Sequence, residues 1–114
     1  MTDLTPQTRL ERAKEASRAT AALTSDDKER ALEAIAVALE ANAARIIEAN
    51  QRDVERGRED GIGESLVDRL RLDEKRVSAL AAAVRDVAAL PDPVGRVVGG
   101  HRMPNGVSLE QVRV

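Results

Sequence analysis

The chain has 114 residues, a net charge of −2 from 18 basic and 20 acidic side chains, and neither cysteine nor aromatic residues. Interleaved charge without stacking side chains argues against nucleic-acid binding, and the lack of cysteine excludes disulfides, thiolate metal sites and a cysteine nucleophile within these residues. No apolar run has membrane-spanning length and the N-terminal residues resemble no signal peptide, so we expect a cytoplasmic protein. With 42% hydrophobic residues, the chain suits one domain or part of a larger one.

The N-terminal half of the sequence is predicted to be helical. The first helix covers Pro6–Ala22, with Thr5 as its N-cap and a proline at the first helical position. The second covers Thr24–Asn50 as one long helix, because its aliphatic residues recur at steps of three and four. The highly charged segment Gln51–Glu59 is either a solvent-facing continuation of this helix or a separate short helix.

Two further helices are predicted over Glu64–Leu70 and Glu74–Leu90. Gly61 is expected to end the preceding helical region, and Asp73 is expected to cap the last helix. Prolines directly after Leu90 end that helix. The residues expected to face inward on these two helices are Leu66, Val67, Leu70, Val77, Leu80, Ala81, Val84, Val87 and Ala88.

From Val94 to Val114 the pattern becomes rich in β-forming residues, and Asn105–Gly106 indicates a hairpin with a two-residue turn. Such a turn places His101 opposite Glu110. Pro104 lacks an N–H donor, so a longer loop is an open alternative. A lone two-stranded hairpin is marginally stable in water and leaves unpaired edges. We therefore expect the hairpin to pair with more of its own chain or with another subunit.

Three patterns suggest active-site chemistry, and each is weak. His101, Glu110 and Ser108 together resemble a hydrolase triad, but a hairpin supplies neither an oxyanion hole nor a nucleophile elbow, so a cross-strand His–Glu pair is expected. The segment Gly61–Gly63 resembles the start of a dinucleotide fingerprint, but Leu66 occupies the sixth position and no strand precedes it. Acid pairs at four-residue spacing are typical of a solvated helix face. We expect no catalytic, cofactor-binding or metal-binding residue in the chain.

Four segments resemble, in their order and spacing, the N-terminal part of the γ-glutamyl phosphate reductase family of the aldehyde dehydrogenase superfamily. They are Ala13–Lys28, Ala38–Glu59, Gly61–Val77 and Val84–Val114, and their most specific pieces read ALPDPVG, PNG and EQVRV. The resemblance implies a mainly α fold with a C-terminal β-hairpin, which is the N-terminal helical part of an α/β aldehyde dehydrogenase-like fold. It further implies that residues 1–93 form a helical layer of the cofactor-binding domain, and that residues 94–114 form a β-hairpin arm for oligomerisation.

The resemblance also implies a function. Members of the family use NADPH to reduce γ-glutamyl phosphate to glutamate 5-semialdehyde in proline biosynthesis, through a thioester on a cysteine. In that family the NADPH-binding core and the cysteine follow the matched segments, so we expect these 114 residues to be inactive alone. We expect a homo-oligomer formed through the hairpin, with no nucleic-acid or membrane partner. The expected interface residues are Val107, Leu109, Val112 and Val114.

Two alternatives remain open from the sequence. One is a free-standing helical module that docks another protein through its terminal hairpin. The other is a small unrelated enzyme that uses His101, the only histidine of the chain.

Overall fold

The computed structural model describes residues 5–114, in which five α-helices precede one antiparallel β-hairpin. The elements are α1 Pro6–Ala21, α2 Ser25–Ala41, α3 Ala43–Glu59, α4 Glu64–Leu70, α5 Glu74–Ala88, β1 Val97–Arg102 and β2 Ser108–Val112. The predicted mainly α fold with a C-terminal hairpin is thereby confirmed. One compact unit comprises residues 26–90, and a second comprises residues up to 25 together with 91–114. The part of the 1–93 prediction that concerns Met1–Leu4 lies outside the described residues.

Two helix starts follow the predicted capping chemistry. At α1, the backbone N–H of Thr8 donates to the Thr5 hydroxyl oxygen at 3.3 Å. At α5, the backbone N–H of Arg76 donates to the Asp73 carboxylate at 2.8 Å. Each cap satisfies one of the N–H groups that a helix start leaves without an intrahelical partner.

The prediction of one uninterrupted helix over Thr24–Asn50 is wrong, because the helix breaks at Asn42. The backbone of Asn42 lies at φ −106° and ψ 13°, outside the helical region. Its side-chain amide donates to the Ala38 carbonyl at 2.8 Å, and asparagine side chains that bond to nearby backbone compete with regular helix geometry. Helix α3 then runs on to Glu59, so Gln51–Glu59 is the charged continuation rather than a separate helix.

Helix α3 ends as predicted at Gly61, which has φ 79°. The N–H of Gly61 donates to the Arg58 carbonyl, and the N–H of Ile62 donates to the Gly57 carbonyl, each at 3.0 Å. These two bonds define a Schellman ending. The Ile62 side chain packs over Gly57, where an added Cβ would lie 2.7 Å from Ile62 Cδ1.

The core of the 26–90 unit is small. Its buried hydrophobic residues are Ala36, Val54, Val67, Val77 and Ala81. The prediction of inward positions therefore holds for Val67, Val77 and Ala81. It is wrong for four residues, Leu66, Leu70, Leu80 and Val87, whose exposed fractions are 54%, 39%, 47% and 54%. Several large aliphatic side chains thus face outward although their spacing fits a helix face.

Asn50 is the buried polar residue of this core, and it joins α3 to the end of α4 and to the linker that follows α4. Its amide nitrogen donates to the Leu70 carbonyl at 2.9 Å, and its amide oxygen accepts from the Leu72 N–H at 2.7 Å. The Leu70 carbonyl at the C-terminal end of α4 and the Leu72 N–H in the linker have no partner within a helix or sheet, so the Asn50 amide supplies one to each.

The hairpin turn has three residues rather than the predicted two. The N–H of Met103 donates to the Val107 carbonyl at 2.8 Å, and the N–H of Gly106 donates to the Met103 carbonyl at 2.9 Å. This is a hairpin built on one β-turn, with Gly106 at φ 87° closing it. Pro104 has the fixed φ that the second position of a type I turn requires, which favours this longer loop over an Asn–Gly turn.

Candidate assembly interface

The longer turn shifts the strand register by one residue relative to the prediction. His101 lies opposite Leu109, and Glu110 lies opposite Gly100. The expected His101–Glu110 pair is therefore wrong. Because side chains alternate between the two faces of a strand, Glu110 and Ser108 share one face while His101 lies on the other. The three residues of the triad-like pattern are thus not brought together.

At Gly100 the backbone of β2 lies too close to leave room for a side chain. A Cβ at this position would lie 2.4 Å from the Leu109 carbonyl oxygen and 3.2 Å from the Glu110 Cα. Both atoms belong to the backbone, so no side-chain rotation could relieve the contact. A register irregularity, typical of a β-bulge, lies just before it, between Val97 and Gly99.

The predicted interface residues are exposed in the described part of the chain. Val107, Leu109 and Val112 have exposed fractions of 51%, 48% and 43%, and Val114 is fully exposed. Leu109 and Val112 are three positions apart on β2, so they point to opposite faces of the hairpin. Val112 faces the same side as its partner Val97. The hairpin therefore presents aliphatic surface on both faces.

Both strands are edge strands, since the sheet of the described residues contains β1 and β2 alone. Each has an outer row of backbone N–H and C=O groups that could pair with a further strand. Every residue of β2 is exposed, and only Gly99 of β1 is half-buried. The arrangement suits strand addition with side-chain packing above and below the sheet.

A charge cluster joins α2 to α5 within the 26–90 unit. The Nη1 and Nη2 atoms of Arg85 donate to the two carboxylate oxygens of Glu40 at 2.8 and 2.9 Å, and Nε donates to Glu33 at 3.1 Å. The hydrogen bond from Arg85 lowers the pKa of the Glu40 carboxyl, and the two carboxylates, Glu40 first, raise the pKa of Arg85. Such planar two-point contacts hold a side chain in one orientation.

Replacing Arg85 with methionine is expected to return the pKa of Glu40 to its ordinary value of 4.5. Because the folded state lowers this pKa, the carboxylate contributes stability above pH 4.5 that is lost as the pH falls through the folded-state value. The unsubstituted chain should therefore lose stability more steeply than the variant in that range. NMR titration of the Glu40 carboxyl carbon checks this, and an identical Glu40 pKa in both proteins would contradict it.

A depression of about 450 Å³ beside α4 and α5 also contains arginines. Arg76 donates to the carbonyls of Asp68 and Arg71, the latter at 2.6 Å, and contacts the Asp68 carboxylate. Arg71 contacts the same carboxylate at 3.2 Å. These two guanidinium groups therefore close the C-terminal end of α4 rather than forming an open anion site.

The segment Gly61–Gly63 is not built as a phosphate-binding loop in the described structure. The segment follows the charged helix α3, and the N–H groups of Gly61 and Ile62 donate to carbonyls of that helix end. Among residues 5–114 no group of three or more potential ligands lies close enough to hold a metal ion.

The helices of residues 5–114 include none with the length and apolar character of a membrane-spanning segment.

No family model matches the chain, but curated relatives and solved structures do. The gamma-glutamyl phosphate reductase of Kineococcus radiotolerans is 56% identical over 103 residues, which cover 90% of this chain and 24% of the relative. The enzyme of that name from Thermobifida fusca is 46% identical over 116 residues, which cover 100% of this chain and 28% of the relative. The chain thus spans about a quarter of the length of the curated relatives it matches.

Two solved structures have the same fold in the matched region. The crystal structure of gamma-glutamyl phosphate reductase from Thermotoga maritima superposes with a TM-score of 0.86 at 40% identity, covering 91% of this chain and 26% of that one. The corresponding structure from Saccharomyces cerevisiae gives a TM-score of 0.86 at 31% identity, covering 96% of this chain and 28% of that one.

Proposed function

We propose that the chain forms the N-terminal scaffold of a γ-glutamyl phosphate reductase, because it is homologous to the N-terminal part of such enzymes. The proposed enzyme reduces γ-glutamyl phosphate to glutamate 5-semialdehyde with NADPH, as a cytoplasmic step of proline biosynthesis. The observation that carries the proposal is the 56% identity to the Kineococcus radiotolerans enzyme over 90% of the chain. These likenesses favour a reductase over a free-standing interaction module.

The geometry supports a division of labour within the proposed enzyme. The chain contains no cysteine, so it holds no thiol that could form a thioester. The described residues also lack a phosphate-binding glycine loop, because Gly61–Gly63 ends a helix instead. They do not fit NADPH, and no step of the reduction is assigned to them. Thiol and cofactor would belong to the part of the enzyme that follows the matched segment in the relatives.

The helices and the hairpin would then have different roles. Residues 1–93 would contribute a helical layer of the cofactor-binding domain. Residues 94–114 would form an arm that pairs with a second subunit through Val107, Leu109, Val112 and Val114. Support comes from the exposed aliphatic side chains on both hairpin faces and from the two uncovered strand edges.

Joining residues 1–114 to the downstream three quarters of the Kineococcus radiotolerans enzyme is expected to give a working reductase. We expect the joined protein to oxidise NADPH when supplied with γ-glutamyl phosphate, because the matched quarter would restore the missing scaffold. The 114-residue chain alone should show no turnover, since it has no thiol nucleophile. A soluble joined protein without activity, beside an active natural enzyme, would contradict the proposed function, and turnover by the isolated chain would contradict the division of labour.

Changing Leu109 and Val112 together to glutamate is expected to reduce the oligomer of the joined enzyme to smaller species. Each face of the hairpin would then carry a charge that must be desolvated when subunits meet. Sedimentation velocity measures the change. Leu10→Glu on α1, which also replaces an exposed leucine, serves as the matched control and should leave the size unchanged. An oligomer unaffected by the hairpin double change would rule out this interface.

A further inference from the structure

The tip of the hairpin contains a chemically labile pair of residues. Of the three asparagines in the chain, Asn105 alone is followed by glycine, whereas Asn42 and Asn50 are followed by residues with side chains. Glycine has no Cβ that could shield its backbone nitrogen from the preceding side-chain amide. Asn105 and Gly106 are both exposed, and a Cβ at position 106 would meet no atom of the described residues within 4 Å. Water and the neighbouring amide can therefore both reach this nitrogen once the backbone allows it.

The reaction available to this pair is loss of ammonia through a succinimide. The Gly106 nitrogen gives its proton to a water molecule or a buffer base and forms a bond to the Asn105 Cγ, while the Cγ–Nδ2 bond breaks and ammonia leaves. Water then opens the ring at one of its two carbonyls. The product has either an aspartate at position 105 or a β-linked isoaspartate, whose backbone contains one additional methylene. Water is the only co-reactant, and nothing is oxidised or reduced.

The closed turn keeps the two reacting groups apart. The central residues of the turn, Pro104 and Asn105, both have negative φ, because within residues 5–114 positive φ occurs at glycine alone. Types I′, II and II′ each need a positive φ at a central residue, so this hydrogen-bonded turn is of type I. Such a turn sets ψ of Asn105 at about 0°, which turns the next nitrogen away from the side chain. That nitrogen also donates to the Met103 carbonyl at 2.9 Å. Ring closure therefore requires the turn to open.

The side-chain amide is connected to the strands as well. Asn105 Oδ1 accepts from the Val107 N–H at 3.1 Å, and the Val107 carbonyl accepts from the Met103 N–H at 2.8 Å. The amide, the turn and the first pair of the ladder thus form one hydrogen-bonded unit. Because the cross-strand bonds of β1 and β2 oppose its opening, the stability of the hairpin should determine how often the reactive arrangement occurs.

We propose that Asn105 is a site of spontaneous deamidation and that the closed hairpin controls its rate. Either product adds a negative charge at the tip, beside the exposed Val107. The β-linked product also lengthens the backbone inside the turn, so the original turn cannot close again. The modification itself is independent of the proposed function, whereas its effect on subunit pairing rests on the proposed arm.

Peptide mass spectrometry of the 114-residue chain tests the proposal, in mildly alkaline buffer with and without denaturing urea. Each asparagine-containing peptide is followed for conversion of amide to acid, with Asn42 and Asn50 as internal controls. In urea we expect Asn105 to react faster than both controls, and without urea we expect it to react roughly tenfold more slowly than in urea. If Asn105 reacts no faster than the controls in urea, the site is overturned. Equal rates at Asn105 with and without urea would overturn control by the hairpin.

Two variants locate this control in the ladder without changing the reacting residues. In Gly100→Ala the added Cβ would press on the Leu109 carbonyl, so the rate at Asn105 in the folded chain should rise about fivefold or more. In Gly99→Ala the Cβ makes an ordinary contact with the Gln111 side chain at 3.7 Å, so the rate should change little. An unchanged rate in Gly100→Ala would overturn control by the ladder. These measurements do not use enzymatic activity, so their failure leaves the proposed function standing.

Discussion

Replacing Asn50 with alanine is expected to lower the free energy of unfolding by about 2–4 kcal/mol, because two backbone groups lose their partners at once. The Leu70 carbonyl and the Leu72 N–H bond to the two ends of the Asn50 amide at 2.9 and 2.7 Å. Asn50 itself is 7% exposed, so water replaces the amide poorly. Urea unfolding followed by circular dichroism measures the change as a shift of the midpoint.

The matched control for Asn50 lies eight positions earlier in the chain. Asn42 also donates through its side-chain amide, to the Ala38 carbonyl at 2.8 Å, but it is exposed. Asn42→Ala should change stability by about 0.5 kcal/mol or less, since water can replace the lost bond and alanine favours a helix. Similar unfolding midpoints for the two variants would show that Asn50 does not hold the linker.

A second variant separates the two halves of the Asn50 contact. Asn50→Asp keeps an oxygen acceptor for the Leu72 N–H but places the second carboxylate oxygen against the Leu70 carbonyl. Near neutral pH this variant should be destabilised about as much as Asn50→Ala, because a charged oxygen replaces the donor. Protonation of the new carboxyl at lower pH would restore a donor, so part of the loss should be regained there.

Replacing Gly100 with alanine is expected to open the centre of the hairpin, at a cost of about 1–3 kcal/mol. The added Cβ would lie 2.4 Å from the Leu109 carbonyl oxygen, and backbone must move to make room. Amide hydrogen exchange of the β1 and β2 N–H groups measures the opening, since the cross-strand bonds of this region protect them. Faster exchange is expected throughout the ladder.

Gly99 provides the control for this substitution. A Cβ there would meet only the side-chain oxygen of Gln111, at 3.7 Å, which is an ordinary contact. Gly99→Ala should therefore leave the exchange rates of the ladder nearly unchanged, and the comparison removes the general effect of adding a methyl group to a strand. If amide exchange became equally faster in both variants, the close contact between position 100 and the Leu109 carbonyl would not be the reason that glycine is needed there.

The helix ends were predictable because their chemistry is local. Thr5 and Asp73 accept hydrogen bonds from residues three positions ahead, and Gly61 ends α3 with a positive φ that glycine readily adopts. The break at Asn42 shows the limit of periodicity. The aliphatic residues keep their helical spacing across Asn42. That spacing does not reveal that the backbone of this one residue leaves the helical conformation.

The candidate interface was only partly predictable. The hairpin followed from the local β-forming pattern and the Asn–Gly turn signal. Two turn signals overlap in the segment Pro104–Gly106, however, and the proline favoured the longer loop. A one-residue slip moves every side chain relative to its partner. Leu109 therefore lies beside His101, and the expected contact of His101 with Glu110 is absent from the described hairpin.

Sequence by itself determined the capped starts of α1 and α5, the glycine end of α3, the presence of a hairpin after the helices, and the lack of thiol chemistry in these residues, because each depends on residues within a few positions or on composition. Tertiary structure alone decided the roles of Asn50 and Arg85. Asn50 bonds to groups 20 and 22 residues away, and Arg85 to carboxylates 52 and 45 residues away. Such partners meet only after the helices have packed. No local sequence pattern therefore encodes which distant group will hydrogen-bond to a given side chain.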